Sequence, residues 1–147
     1  MRQGIAIVVA MLVLLAVGCR QHKETVVSVS PMFNVEETWR LMTIQGREPV
    51  YAEGQKKITL IINPDAGTFS GTDGCNRYFG TFKSSGDGTM KLSDFNATKK
   101  ACPETFGRLS GNYRQLLMRC NAYKLGEYEL ELMQGDKTLL TFEKEGR

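Results

Sequence analysis

The chain has 147 residues, room for one ordinary domain once a targeting segment is set aside. Nineteen Lys and Arg stand against sixteen Asp and Glu, a formal charge of +3, and only Arg2 of these falls in the apolar leader. A balance this close to neutral, with no concentrated basic face in the charge order, excludes the usual signature of a nucleic-acid partner.

Arg2 is followed by an uncharged run, Ile5 to Val17, that ends at Gly18 and Cys19. The run is shorter than the roughly 20 apolar residues needed to span a bilayer and matches the apolar core of an export signal, about 7 to 15 residues. Ala16-Val17-Gly18-Cys19 resembles the lipobox of bacterial lipoproteins, with Ala16 where Leu is usual. That resemblance implies a signal peptide over 1–18 and lipidation of Cys19. Arg20, in place of Asp, implies the outer membrane, facing the periplasm. Two or more acyl chains give stable anchoring where one gives only marginal binding, so the membrane is the expected partner of the anchor and not of the domain. Residues 19–34, polar and holding Pro31 without a clear period, read as a tether. The folded domain is then 35–147.

From Thr38 the signals become regular. Thr38 to Ile44 is strand-like, and Lys57 to Ile62 is a β-branched run closed by the turn Asn63-Pro64-Asp65-Ala66-Gly67. Thr68 to Thr72 follows as its hairpin partner. Tyr78 to Lys83 is next, then a turn at residues 84–88, then a strand from Thr89 to Leu92 that extends toward Thr98. Phe106, Leu109, Tyr113, Leu116, Leu117 and Cys120 recur at the spacing of one helical stripe. Pro103 suits the first helical position and Asn121 a left-handed cap beyond the end. Glu127 to Met133 alternates, with Tyr128, Leu130 and Leu132 on one face and three glutamates on the other. After the turn at Gln134-Gly135-Asp136-Lys137, Thr138 to Glu143 is the last strand. The expected class is α+β: a small antiparallel sheet or partly open barrel, with one packed helix before the C-terminal hairpin.

Catalytic constellations are missing. The only histidine, His22, lies in the tether, no nucleophile or phosphate-binding motif occurs, and the cysteines lack metal-site spacing. The expectation is a protein that is not an enzyme, with no metal and no cofactor. Beyond Cys19, three cysteines remain, Cys75, Cys102 and Cys120, and spacing alone leaves all three single pairings open.

Phe69 to Gly80 (FSGTDGCNRYFG) resembles the first signature of the META (HslJ-like) family, a strand ending in a glycine-rich G-C-N turn followed by an aromatic residue. Ala97 to Cys102 (ATKKAC) resembles its second, and the Trp39-Arg40-Leu41 and Leu139 to Phe142 segments sit where that family has its first and last strands. Lys100 departs from the family's usual Met, and the segment Arg108 to Gly111 from its usual Glu. The resemblance implies a Cys75–Cys102 disulfide, against the rival Cys102–Cys120, and leaves Cys120 a small buried apolar side chain. Gly71, Gly74 and Gly80 suit a tight corner by positive φ or close approach. Asn76 suits the same corner. The corner reads as architecture; a ligand site built on it would use Asn76, Arg77, Tyr78 and Thr98. Two functional expectations follow. One is an envelope stress or structural lipoprotein that meets another envelope protein, as the resemblance implies. The other is a carrier of a small hydrophobic ligand or lipid, in a barrel lined by Trp39, Leu41, Leu60, Phe82, Tyr128 and Leu130.

Overall fold

The computed structural model describes Phe33 and residues 36–146; Cys19, the export signal and nearly all of the tether lie outside them. Eight strands and one helix follow in chain order: β1 Glu37–Ile44, β2 Thr59–Asn63, β3 Thr68–Thr72, β4 Arg77–Ser84, β5 Met90–Ala97, α1 Glu104–Leu117, β6 Ala122–Leu125, β7 Glu129–Gln134 and β8 Lys137–Lys144. All pairings are antiparallel, in the order β5-β4-β3-β2-β1-β8-β7-β6. The last strand therefore lies in the middle of the sheet, between β1 and β7.

Alternation fills the concave side. Trp39, Leu41, Leu60, Ile62, Phe69, Tyr78, Phe82, Leu92, Leu130, Leu132 and Phe142 are all buried, while their strand neighbours, Met133 excepted, are partly or fully exposed. Bulges adjust the phase where strict alternation would fail. The register of β1 on β8 slips between Leu41 and Thr43, so that beyond the outward Met42 it is Ile44, and not Thr43, that enters the core. A second slip in β5, opposite Gly80, puts Asp94 at φ 52.

The sheet curls without closing. β5 and β6 meet only near their starts, where Met90 N–H donates to Asn121 C=O (3.0 Å) and Tyr123 N–H to Gly88 C=O (2.8 Å). Helix α1 occupies the connection between these two strands and buries Ser110, Tyr113, Leu116 and Leu117 against the sheet. The architecture agrees with the expected partly open antiparallel barrel carrying one helix before the C-terminal strands.

Several details differ from expectation. Pro103 is the N-cap residue, at ψ 141, and not the first helical residue. Asn121 does not take a left-handed cap conformation: the helix ends at Leu117 with Met118 as its C-cap, and Asn121 instead joins the seam by accepting from Met90 N–H (3.0 Å), while its own N–H donates to Met133 C=O of β7 (2.8 Å). Strand β6 was not expected; four residues with one buried side chain, Tyr123, carry too short a period to read. Tyr128 is 46% exposed, because β7 starts only at Glu129 and Tyr128 stands in the preceding turn, outside the alternation. Phe33, placed in the tether by composition, packs on the domain, with its ring centroid 5.5 Å from that of Phe82 and 5.0 Å from that of Tyr123.

Candidate functional site

The two signature segments meet at one corner. In the turn between β3 and β4, the Oδ1 atom of Asp73 accepts from the backbone N–H of Cys75 (2.9 Å) and of Asn76 (2.6 Å), and Asp73 N–H donates to Asn76 C=O (3.0 Å). Gly74, at φ 90, completes the turn, and a Cβ there would meet Gln55 Nε2 at 2.9 Å. The Oδ1 of Asn76 reaches across to the segment after β5, accepting from Thr98 Oγ1 (2.9 Å) and from Lys100 N–H (2.8 Å). Arg77 and Thr98 are joined through Thr98 N–H to Arg77 C=O (2.9 Å) and Arg77 N–H to Thr98 Oγ1 (3.2 Å). A Cys75–Cys102 disulfide closes the same clasp, the pairing the resemblance implies.

Helix α1 is fastened to this corner from the other side. Ser110 Oγ donates to Asp73 C=O (2.7 Å), and one turn later Arg114 Nε lies 3.4 Å from Asp73 Oδ2. Asp73 is fully buried, so Arg114, itself partly exposed, supplies its counter-charge. Beneath it, Tyr78 O–H donates to Thr59 C=O (2.7 Å), which leaves Tyr113 O–H as donor to Tyr78 Oη (2.7 Å). Burial raises the pKa of both phenols. Burial also pushes the Cys120 thiol up to about 12, and its Sγ donates to Leu116 C=O (3.3 Å), so it is an inert packing group.

Two inward positions on neighbouring strands, Gly71 of β3 and Gly80 of β4, require glycine. A Cβ at Gly71 would stand 2.0 Å from Thr59 O and 2.6 Å from Tyr78 Oη; one at Gly80 would stand 2.4 Å from the Phe69 ring. Gly71 pairs with Tyr78 and Phe69 with Gly80, so each ring lies over the opposing glycine.

Of the four candidate ligand residues, Tyr78 is buried, Asn76 spends its carbonyl oxygen on the clasp, Thr98 donates to Asn76, and the Arg77 side chain faces solvent. Asp73, Ser110 and Arg114, which complete the arrangement, were not singled out; an Asp two residues before Cys-Asn, where its carboxylate can take the next free amides, was the available signal. Among the described residues no group of three or more His, Cys, Asp or Glu could hold a metal ion. Five of the six residues expected to line a ligand cavity (Trp39, Leu41, Leu60, Phe82 and Leu130) are packed core, and Tyr128 is at the surface. Open concave surface is found instead between the β1–β2 loop and α1, lined by Ile44, Val50, Tyr51, Arg108, Leu109 and Asn112. Gln55 fixes that loop, accepting from Ala52 N–H (3.1 Å) and donating to Ser110 Oγ (3.4 Å). Among the described residues no helix is long and apolar enough to cross a membrane.

A curled antiparallel meander with one helix held in its seam by a disulfide-closed glycine corner defines a small α+β domain class. The META domain profile matches residues 32–146, and the chain belongs to the META domain family. Solved structures share the fold. A protein from Burkholderia xenovorans, determined by NMR, has a TM-score of 0.58 at 24% identity, covering 76% of this chain and 83% of that one. A DUF4847 family protein from Bacteroides vulgatus ATCC 8482, determined by crystallography, has a TM-score of 0.51 at 17% identity, covering 73% and 91%. No curated protein matches the chain in sequence.

Proposed function

We propose that this chain is an extracytoplasmic lipoprotein, anchored through Cys19 in the outer membrane and facing the periplasm. Its META domain serves envelope maintenance or stress tolerance by contact with another envelope protein and catalyses no reaction. The observation that carries this reading is the employment of the polar side chains at the corner: Asp73, Asn76 and Thr98 of the two signatures, and Ser110 and Arg114 of α1, are bonded to one another or to backbone, and serve shape. The open surface beside Val50, 88% exposed, is where a partner segment has access.

A photo-crosslinker placed at Val50 of the full chain, in its native envelope, tests both halves. A reproducible envelope-protein adduct is expected, together with an acylated Cys19 in the membrane fraction that is lost in Cys19→Ser. A chain recovered in the cytoplasm with its leader intact would sink the localisation. Stoichiometric lipid extracted from the purified domain would favour a carrier instead.

A further inference from the structure

The outer face of the sheet carries an ordered pattern of which the clasp uses only the Thr72 hydroxyl, an acceptor for Gly74 N–H (3.2 Å). Register places Thr38, Ile61, Ser70, Phe79 and Asn96 in one row across β1 to β5. The row on one side holds Arg40, Thr59, Thr72 and Arg77; the row on the other holds Asn63, Thr68, Thr81 and Ser93. These side chains point outward because the alternating residues, Leu60, Ile62, Phe69, Tyr78 and Phe82, are buried. In the middle of hydroxyl and amide groups stands the Phe79 ring, 57% exposed. Along β4 the same face runs Arg77, Phe79, Thr81, Lys83, a strip of about 20 Å at strand rise.

Along β4 its charge is one-sided. Lys83 and Lys91 lie directly opposite each other on this face, an arrangement that costs stability between like charges. Arg77, Lys83 and Lys91 have no ion-pair partner among the described residues, whereas Arg40 is paired with Glu143. The acidic side chains Asp94 and Glu36 border this face: Asp94, in the β5 bulge, accepts from Ser93 Oγ (3.2 Å), and Glu36, at the far end of the row, accepts from Asn63 Nδ2 (2.5 Å).

We propose that the outer face of β4 and β5 docks an acidic glycan. A sugar ring lays its C–H face on the electron-rich face of Phe79. Ser70, Thr81 and Asn96 exchange hydrogen bonds with its hydroxyls. Carboxylates on neighbouring sugars pair with Arg77 at one end and with the Lys83–Lys91 pair at the other, relieving the repulsion between the two lysines. A single-stranded nucleic acid fits less well, because it stacks successive bases on several aromatic rings and this strip offers one. The inference rests on the chemistry of the face and does not require the lipid anchor.

Titration of the full chain in detergent micelles with polygalacturonate tests it. Saturable binding is expected, at least tenfold tighter than to neutral dextran. Phe79→Ala should weaken it at least tenfold with an unchanged circular dichroism spectrum, since the ring is at the surface. Lys91→Gln should weaken binding while leaving thermal stability the same or higher, a combination that simple unfolding cannot produce. Val50→Ser, in the loop beside α1, should bind as the parent does. Absence of binding, binding indifferent to Phe79→Ala, or a thymidine oligonucleotide bound as tightly through Phe79 would each overturn the proposal.

Discussion

Asp73 and Asn76 each serve more than one partner, and their replacement is felt beyond a single bond. Truncating Asn76 to Ala removes the acceptor shared by Thr98 and Lys100. The expected loss is about 1 to 3 kcal/mol, read as a lower urea midpoint at unchanged slope. Asp73→Ala should cost more, because two backbone N–H groups in the turn lose their acceptor and Ser110 loses the geometry of its own. The Arg114 contribution to that loss is small, since its side chain is partly exposed and screened by water.

Buried Cys120 and the two buried tyrosines set the alkaline limit of the fold. Each has a folded pKa raised by burial above its ordinary value of 9.0 or 10.0, so the folded chain holds protons that the unfolded chain releases. Their stabilising effect is complete below about pH 9 and declines as pH rises from there toward 12 and beyond. Urea midpoints measured from pH 8 to 11 should fall steadily. Cys120→Ala should flatten the first part of that fall, and a midpoint independent of pH would contradict the assignment.

Among the elements, α1 is held by its attachments more than by its own sequence. Its N-cap, Pro103, makes no side-chain cap hydrogen bond, and Gly107 and Gly111 lie within it. A Cβ at either glycine meets nothing within 4 Å. Gly107→Ala and Gly111→Ala should therefore each raise stability by about 0.5 to 1 kcal/mol in thermal or urea unfolding. Reducing the Cys75–Cys102 disulfide acts in the opposite direction. It frees a loop of sequence separation 27 in the unfolded chain and should cost about 3 to 4 kcal/mol on the chain-entropy account. The Cys75→Ser, Cys102→Ser double variant should reproduce that loss and no longer respond to reductant.

How far each element could be read in advance follows from the length and regularity of its apolar period. β3 and β4 matched within a residue because Phe69, Tyr78 and Phe82 alternate between turn signals. The Phe106 to Cys120 stripe located α1 but omitted Ser110, which is polar yet buried, because it bonds to a residue 37 positions earlier. Bulges such as those at Met42 and Asp94 depend on the partner strand and leave no local trace. For the corner, the resemblance supplied the Cys75–Cys102 pairing, while the reach of Asn76 to Lys100 needed coordinates.

At the scale of the molecule, Phe33 joins a residue before β1 to β4 and β6, beside the seam where β5 and β6 barely touch. Phe33→Ala should cost about 3 kcal/mol, and a chain beginning at Glu36 should lose as much. Hydrogen exchange at Met90 and Tyr123, the two seam amides, should quicken more than exchange within β1 and β2. Equal protection at both places would show that Phe33 is not part of the closure.

The central position of β8 governs when this protein can fold. Until Lys137 to Lys144 arrive, both β1 and β7 lack a neighbour on one side, and the two halves of the sheet have no strand between them. A chain that emerges from its N-terminus onward can pair β1 to β5 early, but it leaves β1 and β7 each open on one side until β8 appears, and the sheet then closes at a pace set by long-range pairing.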